Sequence, residues 1–378
     1  MVRQAHQSWC GMRDRLRCAQ LRPRLEPLEE RSVPAVLAFF NDGQLSVLGD
    51  AAANDIVVRA DDSGVIRVFE RGIEVAVSLG IPTTADTRLI SISGEAGNDA
   101  LRIDNSVGLI QGSILGGTGN DTIQAGRGNS FLSGDSGNDL LISGFGNDVM
   151  LGGTGNDVLR WDPGTINDVM EGGAGFDKVV VIGNDTFMGQ PAGDSFTFTA
   201  NGSRLRFDRV NLIPFFLDIG TTEAVQVDTG AGDDTITVGN LAGVANLARL
   251  EFNGGEGNDV FDASGNLSSR VSATMDGGLG EDVLIGGAGA DLLLGGDGDD
   301  SLEGRGGLDV LNGAAGNDRL DGGRDGRLDV LVGGTGGDIF VRYYRPLRIG
   351  GQTVRRYDEL LIDLNLADGD RTEEFQFA

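Results

Sequence analysis

The sequence predicts an all-β protein: two parallel β-roll (β-solenoid) arrays with flanking β segments. Three observations carry this. Nine-residue units of the form GGxGxDxUx, with U apolar, recur in register along two long stretches. The eighth residue of every unit is apolar. The chain has 63 glycines in 378 residues but no collagen triplet, so repeated tight turns account for them.

Taken in order, residues 1–34 form a basic leader with seven Arg against four acids, predicted to be disordered. It lacks a cleavable signal's apolar stretch, since Val33 to Phe40 is short and late and suits a first strand better. The leader is similar to short leaders on other large exported bacterial repeat proteins. Residues 35–93 form a β segment, with alternating sequence from Asp55 to Phe69. Residues 94–180 form the first array: an outlying unit at 94, five gapless units from 116, a looser one at 163 and a clearer one at 172. Residues 181–253 form a β spacer, alternating from Asp194 to Phe207, with Val210 to Ile219 read as core. Residues 254–341 hold the second array, with tandem units from 277 and an eleven-residue unit at 322. Residues 342–378 form a C-terminal cap. Asp55 precedes Asp99, and Asp194 precedes Asp234, at comparable distances, so two similar halves, 35–180 and 181–341, are expected.

Within a unit, residues seven to nine make a short strand whose middle side chain faces inward. That core position reads Leu101, Ile123, Leu132, Leu141, Met150, Leu159, Met170, Val179, Ile236, Phe261, Leu284, Leu293, Leu302, Leu311, Leu320, Leu331 and Phe340. Residues one to six turn the chain, with glycine at one, two and four allowing positive φ and close stacking of backbone on backbone. Two units make one coil, so turns on one side recur every 18 residues. Asp121 then stacks over Asp139 and Asp139 over Asp157; Asp282 over Asp300 and Asp300 over Asp318; and opposite these Asp291 over Asp309. Between stacked turns, Asp carboxylates and turn carbonyls can surround a cation with about six oxygens, which suits calcium better than strictly octahedral magnesium. Zinc would want nitrogen or sulfur, and the only histidine, His6, lies in the leader.

These residues resemble RTX, or hemolysin-type, calcium-binding repeats over about half the chain. The resemblance implies a parallel β-roll binding Ca2+ through position-six aspartates, here Asp99, Asp121, Asp139, Asp148, Asp157, Asp177, Asp259, Asp282, Asp291, Asp300, Asp309, Asp318 and Asp338. The turn glycines of these sites are Gly116, Gly119, Gly152, Gly155, Gly277, Gly280, Gly286, Gly289, Gly295 and Gly298. Ser130 replaces the aspartate of its unit, which predicts a weak or absent site over Asp148. The 20-residue spacings from Asp309 to Asp329 and from Asp318 to Asp338 are expected to disturb stacking. About five to eight ions follow from the stacked pairs.

Outside the leader the chain carries 23 basic and 53 acidic residues, which excludes nucleic acid as a natural partner and favours cations as neutralising ones. An acidic surface kept for solubility alone is the alternative. Both cysteines, Cys10 and Cys18, lie in the leader, so no disulfide staples the fold and bound metal is the obvious substitute. No stretch is apolar enough for a membrane span. Without a histidine beyond the leader there is no HExxH site and no Ser-His-Asp triad, so the expectation is a non-enzyme. The alternative is a secreted, carboxylate-dependent enzyme acting on polysaccharide. The run Leu360 to Leu364 is expected to cover the last coil's core. The ending Glu373-Glu374-Phe375-Gln376-Phe377-Ala378 resembles uncleaved signals for type I secretion, so an extracellular or cell-surface protein is expected. The secretion apparatus and a cell-surface or glycan partner are the expected contacts besides calcium ions.

Overall fold

A computed structural model describes residues 36–376, apart from 164–165, 184–185, 188–189, 192, 266, 350–351, 363, 365 and 367–368. The leader, with His6 and both cysteines, and the last two residues of the export-like ending lie outside the described residues. Ala35–Ala378 form one compact body.

That body is a parallel β-solenoid of about 11 turns in two sheets. Successive strands alternate between the sheets, and each pairs in parallel with the strand two places on. Thr122–Gln124 pairs with Leu140–Ile142, and that strand with Val158–Trp161, in the second sheet. Ser130–Ser136 pairs with Val149–Thr154 in the first. The register sets position eight over position eight: Ile123 against Leu141, Leu284 against Leu302, Leu302 against Leu320. All the position-eight residues read from the sequence are at most 1 % exposed. Burying one such side chain contributes about 1.5–3 kcal/mol, repeated at every strand.

Strands run through the spacer without interruption of the second sheet. Lys178–Ile182 pairs with Ala224–Ala231, which pairs with Arg249–Glu256. In the first sheet a three-strand meander intervenes: Ser195–Asn201, Arg204–Arg209 and Phe215–Gly220, antiparallel to one another. Its last strand pairs with the preceding coil, and its first with Thr235–Val238. The extra width is filled by rings. Trp161 stacks on Phe215 at 4.0 Å between centroids, and Phe207 meets Phe196 and Phe198 at 4.9 Å each. Of Val210 to Ile219, Phe215, Leu217 and Ile219 are buried, while Val210 and Ile213 face solvent.

A second meander opens the solenoid. Asp55–Ala60 and Ile66–Glu70 form a hairpin in the second sheet, and the first of them pairs in parallel with Ala100–Ile103. The residue stacked over Asp99 here is Asn54, whose N–H donates to Asp99 Oδ1 at 2.7 Å. Its neighbour Asp55 begins the strand and points out. Strand alternation separates the two faces by a single residue.

At the other end Glu359–Leu361 joins the second sheet and Arg371–Gln376 the first. Among the described residues of the expected covering run only Leu361 packs on the core; Leu360, Ile362 and Leu364 are exposed. Glu373 to Gln376 of the export-like ending form part of the added first-sheet strand.

Candidate metal centre

Each turn places a position-six aspartate under the backbone of the coil before it. On the edge leading from the first sheet to the second, the N–H of Asp99 donates to Oδ1 of Asp121 at 2.8 Å. The same bond joins Asp121 to Asp139, Asp139 to Asp157 and Asp157 to Asp177, at 2.7–2.9 Å. The row ends where Asp177 N–H donates to a Glu223 carboxylate. On the opposite edge the row runs Asp194, Asp234, Asp259, Asp282, Asp300, Asp318, Asp338 and Asp370, with bonds of 2.5–3.0 Å. Two short rows flank these: Ser130, Asp148 and Asp168, and Asp291, Asp309 and Asp329.

The spacings expected to break the stack do not break it. Asp309 to Asp329 and Asp318 to Asp338 keep bonds of 3.0 and 2.9 Å across 20 residues, and Asp234 to Asp259 keeps one of 2.8 Å across 25. The added residues lengthen the turns outward, so the strands and the aspartates that start them stay in register. Asp168, Asp234 and Asp329 therefore join the rows although they are absent from the sequence-derived set. Each lies two residues before a core residue already recognised, Met170, Ile236 or Leu331, and that offset could have found them.

One carboxylate oxygen is thus spent on the coil before. The other, Oδ2, is buried with no hydrogen-bond partner in Asp99, Asp121, Asp139, Asp157, Asp168, Asp177, Asp234, Asp259, Asp282, Asp300, Asp309, Asp318 and Asp329. An unbonded buried acceptor is costly, and one repeated along a row calls for a partner not supplied by the chain. Beside it lies a small cradle. A Cβ on the position-one glycine would collide with that Oδ2 and meet the position-one carbonyl of the next coil. Gly116, Gly152, Gly277 and Gly295 each face Asp121, Asp157, Asp282 or Asp300 together with the carbonyl of Gly134, Gly172, Gly295 or Gly313, in that order.

Position four closes the turn. Gly119, Gly155, Gly280 and Gly298 have φ between +127° and +138°, and a Cβ on any of them would run into the position-four carbonyl of the coil before it. Position two is left-handed as well, even where the residue is Glu95, Asp135, Arg305 or Ala314, with φ of +69° to +77°. Side chains rarely adopt that conformation, so the turn geometry outweighs local preference at these sites.

Asp148 and Asp291 stand apart from the other residues of the sequence-derived set. Their Oδ2 atoms accept from the N–H of Gly144 at 3.0 Å and Gly287 at 2.7 Å. Neither Gly287 nor Gly289 is left-handed, and neither Gly126 nor Gly128 is so in the turn of Ser130. These turns satisfy their own carboxylate, or have none, and keep no oxygen for a ligand.

Burial raises the row carboxyls far above the usual carboxylate range, to about 6 for Asp139, about 7 for Asp259 and Asp300 and about 8 for Asp329. Desolvation is the main cause, and the neighbouring aspartates of the row add to it. Among the described residues no three His, Cys, Asp or Glu side chains converge on one point. The donor set is therefore one or two carboxylates plus backbone carbonyls, all hard oxygen. That set fits Ca2+, whose charge would neutralise the carboxylates it touches.

A parallel two-sheet solenoid whose glycine turns stack aspartates in this way is a calcium-binding β-roll. Residues 115–150, 144–160, 274–302 and 294–328 match the RTX calcium-binding nonapeptide repeat, so both arrays carry RTX-type calcium-binding repeats. No curated protein sequence matches the chain significantly. No helix among the described residues is long and apolar enough to cross a membrane.

Proposed function

We propose that this chain is a secreted structural or adhesive protein whose rolls fold when Ca2+ fills the gaps between stacked turns. The observation that carries the reading is the buried, unbonded Oδ2 repeated along both rows. Nine steps join two such carboxylates: four from Asp99 to Asp177, four from Asp234 to Asp318, and Asp309 to Asp329. The ligands are those aspartates with the turn carbonyls; Asp148 and Asp291 hold the backbone instead. Extracellular modules bind calcium at about 10⁻⁴ to 10⁻³ M, so the gaps would fill outside the cell and stay empty in the cytosol. A chain kept unfolded until export suits type I secretion, and a rigid ion-filled rod suits a surface or glycan contact. A calcium titration followed by circular dichroism, with native mass spectrometry of the loaded protein, tests the reading. A cooperative gain of β signal with several ions bound is expected; an identical spectrum and melt in excess chelator would overturn it.

A further inference from the structure

The second long row opens on a cation of the protein's own. Arg209, 4 % exposed, places a guanidinium nitrogen 2.5 Å from Oδ1 of Asp194, which is fully buried and heads the second row. The neighbouring coils on the other edge carry Glu223, Ala248 and Val271 in register with Asp177 of the first array, and Ala273 stands over Asp291 of the second. Phe196, Phe198 and Phe207 of the meander are fully buried, and the equally buried Trp161, Phe252 and Phe261 extend this ring cluster from the coils on either side. The meander is tied by ordinary antiparallel pairing over Phe196–Arg209 and Leu205–Ile219. Arg204 pairs with Asp218 inside the meander and with Glu171 on the coil before it, and Lys178 pairs with Glu251 between the coils on either side of Ala224–Ala231.

From these observations we infer that residues 195–227 keep their fold without calcium, with Arg209 as the resident cation at the Asp194 step, and that calcium-driven folding spreads from this block into both arrays. The inference rests on the calcium reading of the arrays. The block needs no ion because its core is aromatic and wide, and its buried carboxylate is already neutralised. A buried pair stripped of one partner is strongly destabilised, so the cation is needed once Asp194 is there.

Hydrogen exchange on the full chain, in chelator and in 2 mM calcium, tests this. In chelator, peptides from 195–227 are expected to exchange at least tenfold more slowly than those from 116–160 and 277–338, and calcium should protect the latter. If the arrays respond to calcium but 195–227 opens with them in chelator, the block is not autonomous although calcium binding stands. If no segment responds to calcium, both readings fall. Arg209→Met should lose the protection of 195–227 in chelator and regain it in calcium, whereas the neutral pair Asp194→Asn with Arg209→Met should keep it in chelator. Unchanged protection in Arg209→Met would refute the role of the guanidinium.

Discussion

Asp300 separates a metal-binding from a purely structural role for the rows. Its Oδ1 accepts the N–H of Asp282 at 2.9 Å, its own N–H donates to Asp318 at 2.9 Å, and its Oδ2 is buried and unbonded. Asp300→Asn keeps the shape and the Oδ1 acceptor and removes only the charge. Burial and the adjoining aspartates raise this carboxyl from 3.8 to about 7, so at pH 8 the ionised form costs the metal-free fold about 4 kcal/mol. Leaving amide hydrogens unbonded returns about 1–3 kcal/mol of that. In chelator the variant array should therefore be more stable than the wild type, by about 2 kcal/mol. In 1 mM calcium the sign reverses. Asp300 borders two gaps, and two sites with Kd of about 10⁻⁴ M contribute about 3 kcal/mol together. Hydrogen-exchange protection of residues 277–338 reads both effects, and native mass spectrometry should count two fewer ions. Asp297→Asn, an exposed change of equal charge, is the control. If Asp300→Asn lowers protection as much in chelator as in calcium, the carboxylate is a backbone bracket and the metal argument fails.

The raised carboxyls set a pH dependence. Because Asp139, Asp259, Asp300 and Asp329 bind protons more tightly folded than unfolded, the metal-free roll loses stability as pH rises from about 4 to about 8. Calcium replaces the proton, so the gap in melting temperature between calcium and chelator should widen from pH 5 to pH 8; an equal gap at both would contradict the assignment. Asp148→Asn should leave the calcium count unchanged and shift stability by the same amount in calcium and in chelator, since both its oxygens hold backbone N–H groups and neither faces a gap. Arg305→Gly should stabilise the roll by about 0.5–1 kcal/mol by relieving a left-handed side chain at φ +72°, measured as a raised urea midpoint. Gly298→Ala should act oppositely and more strongly, because its Cβ would run into the Gly280 carbonyl.

Much of this was legible in the sequence because the repeat writes core and turn into every ninth residue. Leu284 or Met150 could be placed inside from position alone, and stacked pairs such as Asp282 and Asp300 followed from counting to 18. What counting missed follows from geometry it cannot see. Turns can lengthen outward while strands keep register, so Asp329 and Asp338 stay in line despite the insertion. Asn54 heads the first row although no aspartate or repeat unit marks it in the sequence. Asp148 and Asp291 look like any other position-six aspartate until their second oxygens are seen to accept from the N–H of Gly144 and Gly287. Nothing in the spacing of Arg209 announces that it is buried against Asp194; a hairpin brings it there.

The rows also have a direction. In the two long rows every bond runs from an amide of one coil to the carboxylate of the next, beginning with an asparagine or an arginine-paired aspartate and closing on Glu223 or Asp370. Each coil inside a row thus depends on its successor for an acceptor and asks nothing specific of the coils further off. Length in such a molecule is a free variable. Pairs of nonapeptides can be gained or lost between fixed ends, and only the residues that open and close a row must stay chemically distinct.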